Sequence, residues 1–430
     1  MSNSRRSLSR RQFLSWTAGA VAAPYVLTSP ALGQRRSRSG EKLPASERIG
    51  LALIGIGRRG ASWASMLARR PEVQCVGVCD VDSRKFAYAL RYIRRYQKDG
   101  CPTYRDYRRL LDVGSVDAVV ICTPDHWHGV MACDAARASK DVFCESPLSL
   151  TVREADAMAT VARRYGRVFQ TGTHWRSSAG YRAACELIAG KKLGQIRTVH
   201  VQAGLASGYC SFGPQPVPKE LDWDLWLGPA PKAPYSNYRC SGSSGSYGWR
   251  AWRDYGGGPL ASNGSHYFDA IQWALGRDDT GPVQFIPPDG KEHKALTIRY
   301  ADGVTVVNAK GPKGTLVEFT GTDGVLGFSV GRGGVQTWPE DLAGRVPRDR
   351  DSSYYRSNDH MANFLEAVKT RRRCVSDVEI AARSVTVCHL ACIASWLGRP
   401  LTWDPAKRQI VGDPQAARWL DRPKRAPWRV

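Results

Sequence analysis

The sequence predicts an α/β protein: a doubly wound parallel sheet first, then an α+β region whose strands run mainly antiparallel. Three observations predict it. A short apolar run, Ile49 to Ile54, meets Gly55-Ile56-Gly57-Arg58-Arg59-Gly60 and then a helical pattern from Ala61 to Ala68. Short apolar runs go on alternating with helical stretches as far as Gly172. Beyond Gly194 the pattern changes to alternating strands separated by turn pairs.

Length and composition bound the rest. The 430 residues suit two or three domains. A hydrophobic fraction of 42% with 23% charged residues is that of a folded globular chain and excludes wholesale disorder. The first stretch reads as an address. Ser9-Arg10-Arg11-Gln12-Phe13-Leu14 is a twin-arginine pattern, an apolar stretch runs from Trp16 to Leu27, and small residues lead up to Gly33. This predicts a Tat export signal over residues 1–33, a periplasmic or otherwise exported protein, and a polar linker over 34–48. No apolar run beyond residue 35 is expected to span a bilayer, so no stable membrane insertion is expected after signal cleavage. The net charge is +23, and removing Arg5, Arg6, Arg10 and Arg11 with the leader takes it to +19.

The first domain, residues 49–172, reads as NAD(P)-binding. In the glycine turn, Gly55 permits the sharp bend, Gly57 lets the backbone approach a pyrophosphate, and Gly60 lets helix and strand pack closely. Ile56, Arg58 and Arg59 complete the turn. The next strand, Val73 to Cys79, ends in Asp80, 20 residues past the third glycine. A carboxylate there accepts hydrogen bonds from ribose hydroxyls and repels a 2′-phosphate, which favours NAD over NADP; Arg84 and Lys85 keep NADP open. Strands at Val116–Cys122, Asp141–Cys144 and Val168–Thr171 alternate with helices at 129–138 and 151–165. Ligands of such sheets sit beyond the carboxyl ends of the strands. Thr123, Pro124, Asp125, His128, Glu145 and Ser146 occupy those ends and join the glycine turn as candidate cofactor residues.

The second region, residues 173–430, opens with an alternating run from Gln195 to Gln202. Residues 205–258 are too rich in Gly, Ser, Pro and aromatics for regular elements and read as a long functional loop. Runs at 295–300, 304–309, 315–320 and 325–330 predict an antiparallel meander, with turn pairs such as Asp302-Gly303 and Asp323-Gly324. Helices return at 360–370 and 378–397. The twelve cysteines form no disulfide framework, and Cys210 with Cys240 is the one pair considered for a bridge. No metal site is expected: Cys388 and Cys392, one turn apart around His389, read as a core helix face.

These motifs together resemble the glucose–fructose oxidoreductase / inositol dehydrogenase (Gfo/Idh/MocA) family, and most of all its exported, Tat-signalled branch. The resemblance rests on the glycine turn, Asp80, Thr123-Pro124-Asp125-His126-Trp127-His128, Glu145-Ser146-Pro147, Gln170-Thr171-Gly172, residues 221–229, Asp254-Tyr255-Gly256-Gly257-Gly258, His266 with Asp269, Trp403-Asp404-Pro405 and Arg425-Ala426-Pro427-Trp428. It implies a Rossmann domain followed by a substrate and oligomerisation domain on a large, mainly antiparallel open sheet. It also implies a homo-oligomer, and oxidation or reduction of a sugar-like compound by a tightly held nicotinamide. Two departures stand out. The family lysine is Ser146 here, and the aspartate four residues before the family histidine is Ser262. Losing a charge aimed at a developing oxyanion costs on the order of 3 kcal/mol of barrier.

Among the remaining candidates, His266 is the acid/base, since an unperturbed imidazole titrates near neutrality. Asp269 is the group to orient it, Arg176 a clamp for a substrate oxyanion or carboxylate, and Tyr267 and Tyr181 are spare proton donors. The expected function is an exported oxidoreductase-family enzyme acting on a sugar by a redox-neutral cycle, through a transient keto sugar and glycoside cleavage. The alternative is a non-catalytic NAD- or carbohydrate-binding protein. The positive surplus suits an anionic glycan, and equally a plain arginine bias. No nucleic-acid module is visible.

Overall fold

The computed structural model describes residues 44, 47–241, 248–329, 334–345, 352 and 354–430. The expected leader and most of the linker lie outside the described residues.

Six parallel strands form the first sheet, in the order β3-β2-β1-β4-β5-β6. In chain order the elements are β1 (Ile49–Ile54), α1 (Arg58–Ala68), β2 (Val73–Cys79), α2 (Phe86–Tyr96), β3 (Thr103–Tyr104), α3 (Tyr107–Leu111), β4 (Ala118–Ile121), α4 (Asp125–Arg137), β5 (Asp141–Cys144), α5 (Val152–Arg164) and β6 (Phe169–Thr171). Every residue of β1, β4 and β5 is buried, as a parallel sheet covered on both faces requires. The order reverses between β1 and β4, which opens a crevice at their carboxyl ends. Thr151 caps α5, accepting from the Glu154 amide at 3.2 Å, while the Glu154 carboxylate accepts from the Leu150 amide at 2.9 Å.

Nine strands form the second sheet. After α6 (Ala179–Ala189) come β7 (Ile196–Val201), α7 (Trp223–Leu227), α8 (Asn237–Cys240), α9 (Pro259–Ser262) and α10 (Gly264–Ala274). The strands β8 (Gln284–Ile286), β9 (Thr297–Arg299), β10 (Thr305–Val307), β11 (Val317–Gly321), β12 (Val325–Phe328) and β13 (Val335–Trp338) follow. Helices α11 (His360–Thr370) and α12 (Val378–Leu397), then β14 (Leu401–Asp404) and β15 (Gln409–Val411), complete it. The order is β13-β12-β11-β7-β10-β9-β8-β14-β15. The expected meander is therefore corrected. β9–β10 and β11–β12 are antiparallel hairpins, but β7 lies between them, parallel to β10 and antiparallel to β11. Among the described residues one pairing of this sheet, β7 with β10, is parallel and the others are antiparallel, so it is mainly antiparallel.

Helix α12 joins the two sheets. Its first half (Val378, Ala381, Ala382, Val385) packs with α4, α5 and β4 of the first sheet, and its second half (Val387 to Ala394) packs with the second sheet and α10. The 20 residues are long and apolar enough to cross a bilayer, contrary to the expectation that no such run exists past residue 35. Burial in two cores accounts for that character: a helix apolar all round is covered all round. Asp377 caps its start, and Gly398, at φ 63°, ends it. Helix α11 likewise covers the first sheet, through Met361, Phe364 and Leu365.

The close approach of α1 to β1 depends on Gly60. A Cβ there would lie 1.8 Å from the Gly55 carbonyl oxygen, a main-chain atom that cannot step aside. Gly60→Ala is therefore expected to destabilise the protein by about 3 kcal/mol, read as a lower midpoint in chemical denaturation, and to weaken dinucleotide binding.

Candidate functional site

The loops that leave the carboxyl ends of β1, β2, β4, β5 and β6 converge on one crevice. Gly55 holds φ 87° with its α-carbon against the Cys122–Thr123 backbone, where a Cβ would come within 2.9 Å. Gly57 faces open space, with nothing within 4 Å of where a Cβ would stand. It also precedes α1 without a side-chain cap, leaving the first-turn amides of an 11-residue helix free for an anion. Asp80 closes the cradle, accepting from the Ile56 amide at 2.6 Å and the Asp82 amide at 2.9 Å. Burial pushes its carboxyl up to about 6, against the pull of those two amides. The Thr123 hydroxyl is buried beside the turn with no partner. A glycine floor without side chains, free helix amides, a carboxylate at the second strand and an unmet hydroxyl fit an adenine dinucleotide. Arg58 is exposed on the outer side of the turn.

Pro124 leads into α4, whose first residues are buried. Burial lifts the Asp125 carboxyl to about 7, although the Arg250 charge and the Gly257 amide favour its ionised form. His128 turns both ring nitrogens toward carbonyl oxygens, of Pro147 at 2.8 Å and Thr123 at 3.0 Å. It ties the β4 and β5 loops together and has no ring nitrogen left for a ligand. His126 similarly meets the Trp226 carbonyl at 3.0 Å.

Glu145 is the hub of the site. Its Oε1 accepts from Arg59 Nε and from Trp63 Nε1, each at 2.6 Å. Arg59 Nη2 also lies 2.5 Å from His174 Nε2. Burial would raise the Glu145 carboxyl, but the hydrogen bonds and charges of His174, Arg59 and Trp63 outweigh it and hold the group well below the usual carboxylate range. Next to it, Ser146 Oγ lies 3.0 Å from His266 Nε2, across 120 residues of chain. His266 Nδ1 is buried with no partner. Burial, reinforced by His174, pushes the His266 imidazole down to about 4, well below the neutral range expected from sequence. Tyr267 follows on the same helix, half-buried, with its ring 5.2 Å from Trp175, and Trp175 stacks on Tyr181 at 4.4 Å.

Two expected site residues neutralise each other elsewhere. Arg176 is buried, donating from Nε to Asp269 Oδ2 at 2.8 Å and from both Nη atoms to Asp278. Asp269 also accepts from the Ser384 hydroxyl of α12 at 2.8 Å. Arg176 is therefore no clamp for a substrate oxyanion and Asp269 does not orient His266; together they bolt α10 to the segment after β6 and to α12. All twelve cysteines are free, so Cys210 and Cys240 form no bridge. Sequence reasoning missed Trp63 and His360. His360 packs 4.7 Å from His174 and meets the Thr171 carbonyl at 2.7 Å. His360 lies 190 residues beyond Gln170, and no local pattern signals the meeting.

Arg176→Leu is expected to cost about 3–5 kcal/mol by leaving Asp269 buried and unpaired. Arg176→Leu/Asp269→Leu should recover part of that loss, while dinucleotide affinity of the folded variants stays unchanged; thermal melts and titration read both. Asp125 has a linkage signature. Its carboxyl binds a proton more tightly folded than unfolded, so its contribution is present at acid pH and is lost as pH rises from about 4 to about 7. The loss is worth up to about 4 kcal/mol. Asp125→Asn should flatten stability against pH across that window and stabilise the protein at pH 8, measured by denaturant midpoints.

Comparison with known proteins agrees with this geometry. Residues 49–173 match the family description "Oxidoreductase family, NAD-binding Rossmann fold", and residues 203–430 match "Oxidoreductase family, C-terminal alpha/beta domain". The chain is similar to an alpha-N-acetylgalactosaminidase of Shewanella oneidensis, 31% identical over 173 residues, 37% of this chain and 38% of that protein. It is also similar to a glycosyl hydrolase family 109 protein of Stenotrophomonas maltophilia, 28% identical over 211 residues, 46% of this chain and 42% of that one. The matches thus span about two fifths of the length of these curated relatives. Among solved structures, GenD2 from gentamicin A biosynthesis, in complex with NAD, superposes with a TM-score of 0.56 at 20% identity, over 85% of this chain and 99% of its own. The aldose-aldose oxidoreductase of Caulobacter crescentus does so with a TM-score of 0.56 at 19% identity, over 83% and 99%. With both of its domains matched in order, the chain belongs to the Gfo/Idh/MocA oxidoreductase family, as an enzyme-family member with an NAD-binding Rossmann domain.

Proposed function

We propose that this is an exported NAD-dependent enzyme acting on a sugar or sugar-like substrate by a redox-neutral cycle, with oxidation to a transient keto sugar, glycoside cleavage and reduction back. The observation that carries the reading is the Ser146–His266 contact at the mouth of the dinucleotide cradle. Relatives named as glycosidases support the sugar, and residues 1–33 support export through the Tat pathway. Outside the cytoplasm free nicotinamide is not replenished, which favours a cycle that returns its cofactor unchanged. Association through the open second sheet as a homo-oligomer is part of the same reading.

The glycine turn and Asp80 would hold the dinucleotide, with Thr123 and the β5 loop beside it. When bound, nicotinamide supplies a hydride acceptor and, once reduced, a hydride donor. The residues of this chain handle the protons. His266 is unprotonated at neutral pH and can accept one. Ser146 Oγ can give its proton to His266 Nε2 as it takes one from a sugar hydroxyl, a relay in place of the family lysine. The anionic Glu145 nearby favours the imidazolium so formed. A carbonyl acidifies the neighbouring C–H, so that a modest base suffices to expel the glycosidic leaving group. In this reading Tyr267, the spare proton donor, protonates it.

Ser146 and Ser262 in place of charged residues favour a second reading, a non-catalytic NAD- or carbohydrate-binding protein. One experiment separates the two. Denatured protein is expected to release NAD, and incubation with glycosides should make the near-ultraviolet band of reduced nicotinamide rise and fall. His266→Ala should cut turnover at least a hundredfold with NAD content intact, and Ser146→Ala about tenfold. A band that never changes with any glycoside decides for the binding protein.

A further inference from the structure

The stretch between α8 and α9 contains a buried cation that nothing in the nucleotide site employs. Arg253 is 8% exposed, and its guanidinium lies over three rings: Tyr209 at 3.8 Å, Trp396 at 4.8 Å and Trp419 at 4.9 Å. Its side chain makes no hydrogen bond or ion pair among the described residues, and its Nε is buried without an acceptor. Arg422 stands behind it. That guanidinium lies over Trp396 at 5.2 Å, donates from Nη1 to the Arg253 carbonyl, and also has a buried, unmet Nε. The Ser207 hydroxyl, on the residue whose carbonyl accepts from Trp396 Nε1 at 2.7 Å, is buried and unpartnered as well.

Glu154 and Asp254 act on Arg422 from a distance, but among the described residues neither guanidinium has a carboxylate at ion-pair distance, and two adjacent cations so placed are costly to bury. Stacking on aromatic faces offsets part of that cost and leaves the planar donor fork unused. A fork of this kind matches the paired oxygens of a carboxylate or a sulfate ester. Tyr209 adds a platform: one face lies on Arg253, and the residue is 73% exposed. The cage is tied to the nucleotide site through α12. Trp396 lies eight residues, or about 12 Å, beyond Cys388, and Cys388 packs against Gly264 at the start of the helix that carries His266.

We propose that Arg253, caged by Tyr209, Trp396 and Trp419 and backed by Arg422, is the recognition point for an anionic sugar unit, a ring bearing a carboxylate or sulfate ester that stacks on Tyr209. The inference rests on the sugar-acting reading above and names its substrate class. Calorimetric titration of the full-length, NAD-loaded protein tests it with three probes: tetragalacturonate, a sulfated galactan tetrasaccharide and an uncharged galactose tetrasaccharide. At least one charged probe should bind ten or more times tighter than the neutral one, and added salt should shrink that preference. Comparing the two charged arms identifies the group. Arg253→Gln should abolish the preference without changing NAD affinity. Tyr209→Ala, at an exposed position that leaves folding intact, should weaken binding of the charged probe at least fivefold. Equal affinity for charged and neutral probes, or a preference that survives both substitutions, overturns the proposal. Because the readout is binding, a protein whose nicotinamide never turns over would refute the catalytic reading and leave this one standing.

Discussion

One helix holds the arrangement together. The first half of α12 seals the parallel sheet and its second half seals the mixed sheet, so the two cores share a single rigid rod. Neither sheet is complete without it. The rod also sets distances. Ser384 anchors Asp269, His389 meets Ser149 just past the β5 loop at 3.1 Å, Cys392 meets Gly257, and Trp396 reaches Ser207. Groups that handle ligands hang from loops, and loops are the mobile part of most folds. Here the loops are pinned at successive turns of one buried helix.

The site arranges its charges by the same logic. Glu145 gathers Arg59 and Trp63 around a carboxylate with His174 beside it, while Arg176 and Asp269 discharge each other in the core. The first group faces the crevice and keeps an open edge toward Ser146 and His266. The second is enclosed and satisfied on every side. Residue type alone does not distinguish them, because each contains an arginine and a carboxylate. What differs is whether partners fill the whole hydrogen-bonding capacity of the group.

Local patterns in the chain were legible. Val73–Cys79, 360–370 and 378–397 have the ends read from sequence, because apolar periodicity and capping residues such as Asp359, Asp377 and Gly398 act within a few positions. The glycine turn and the acid after β2 were legible because backbone geometry demands those residue types at that spacing. Pairings across long stretches were not. The insertion of β7 between two hairpins depends on which edges are free once the chain has collapsed, and β8, β14 and β15 are too short to carry a pattern. His266 could be named as a base from the family likeness, but its downshift follows from burial that a linear sequence does not display. Arg176 and Asp269 looked chemical for the same reason: without a third dimension, a buried bolt and a reactive group read alike.

The shared helix also has a consequence for biosynthesis. A ribosome releases the nucleotide-binding strands early, but the helices that cover them are complete only at residue 370 for α11 and residue 397 for α12. Until then the apolar faces of β1, β4 and β5 have no complete cover, and contacts this distant in sequence are slow to close. The dinucleotide cradle therefore matures after translation rather than during it.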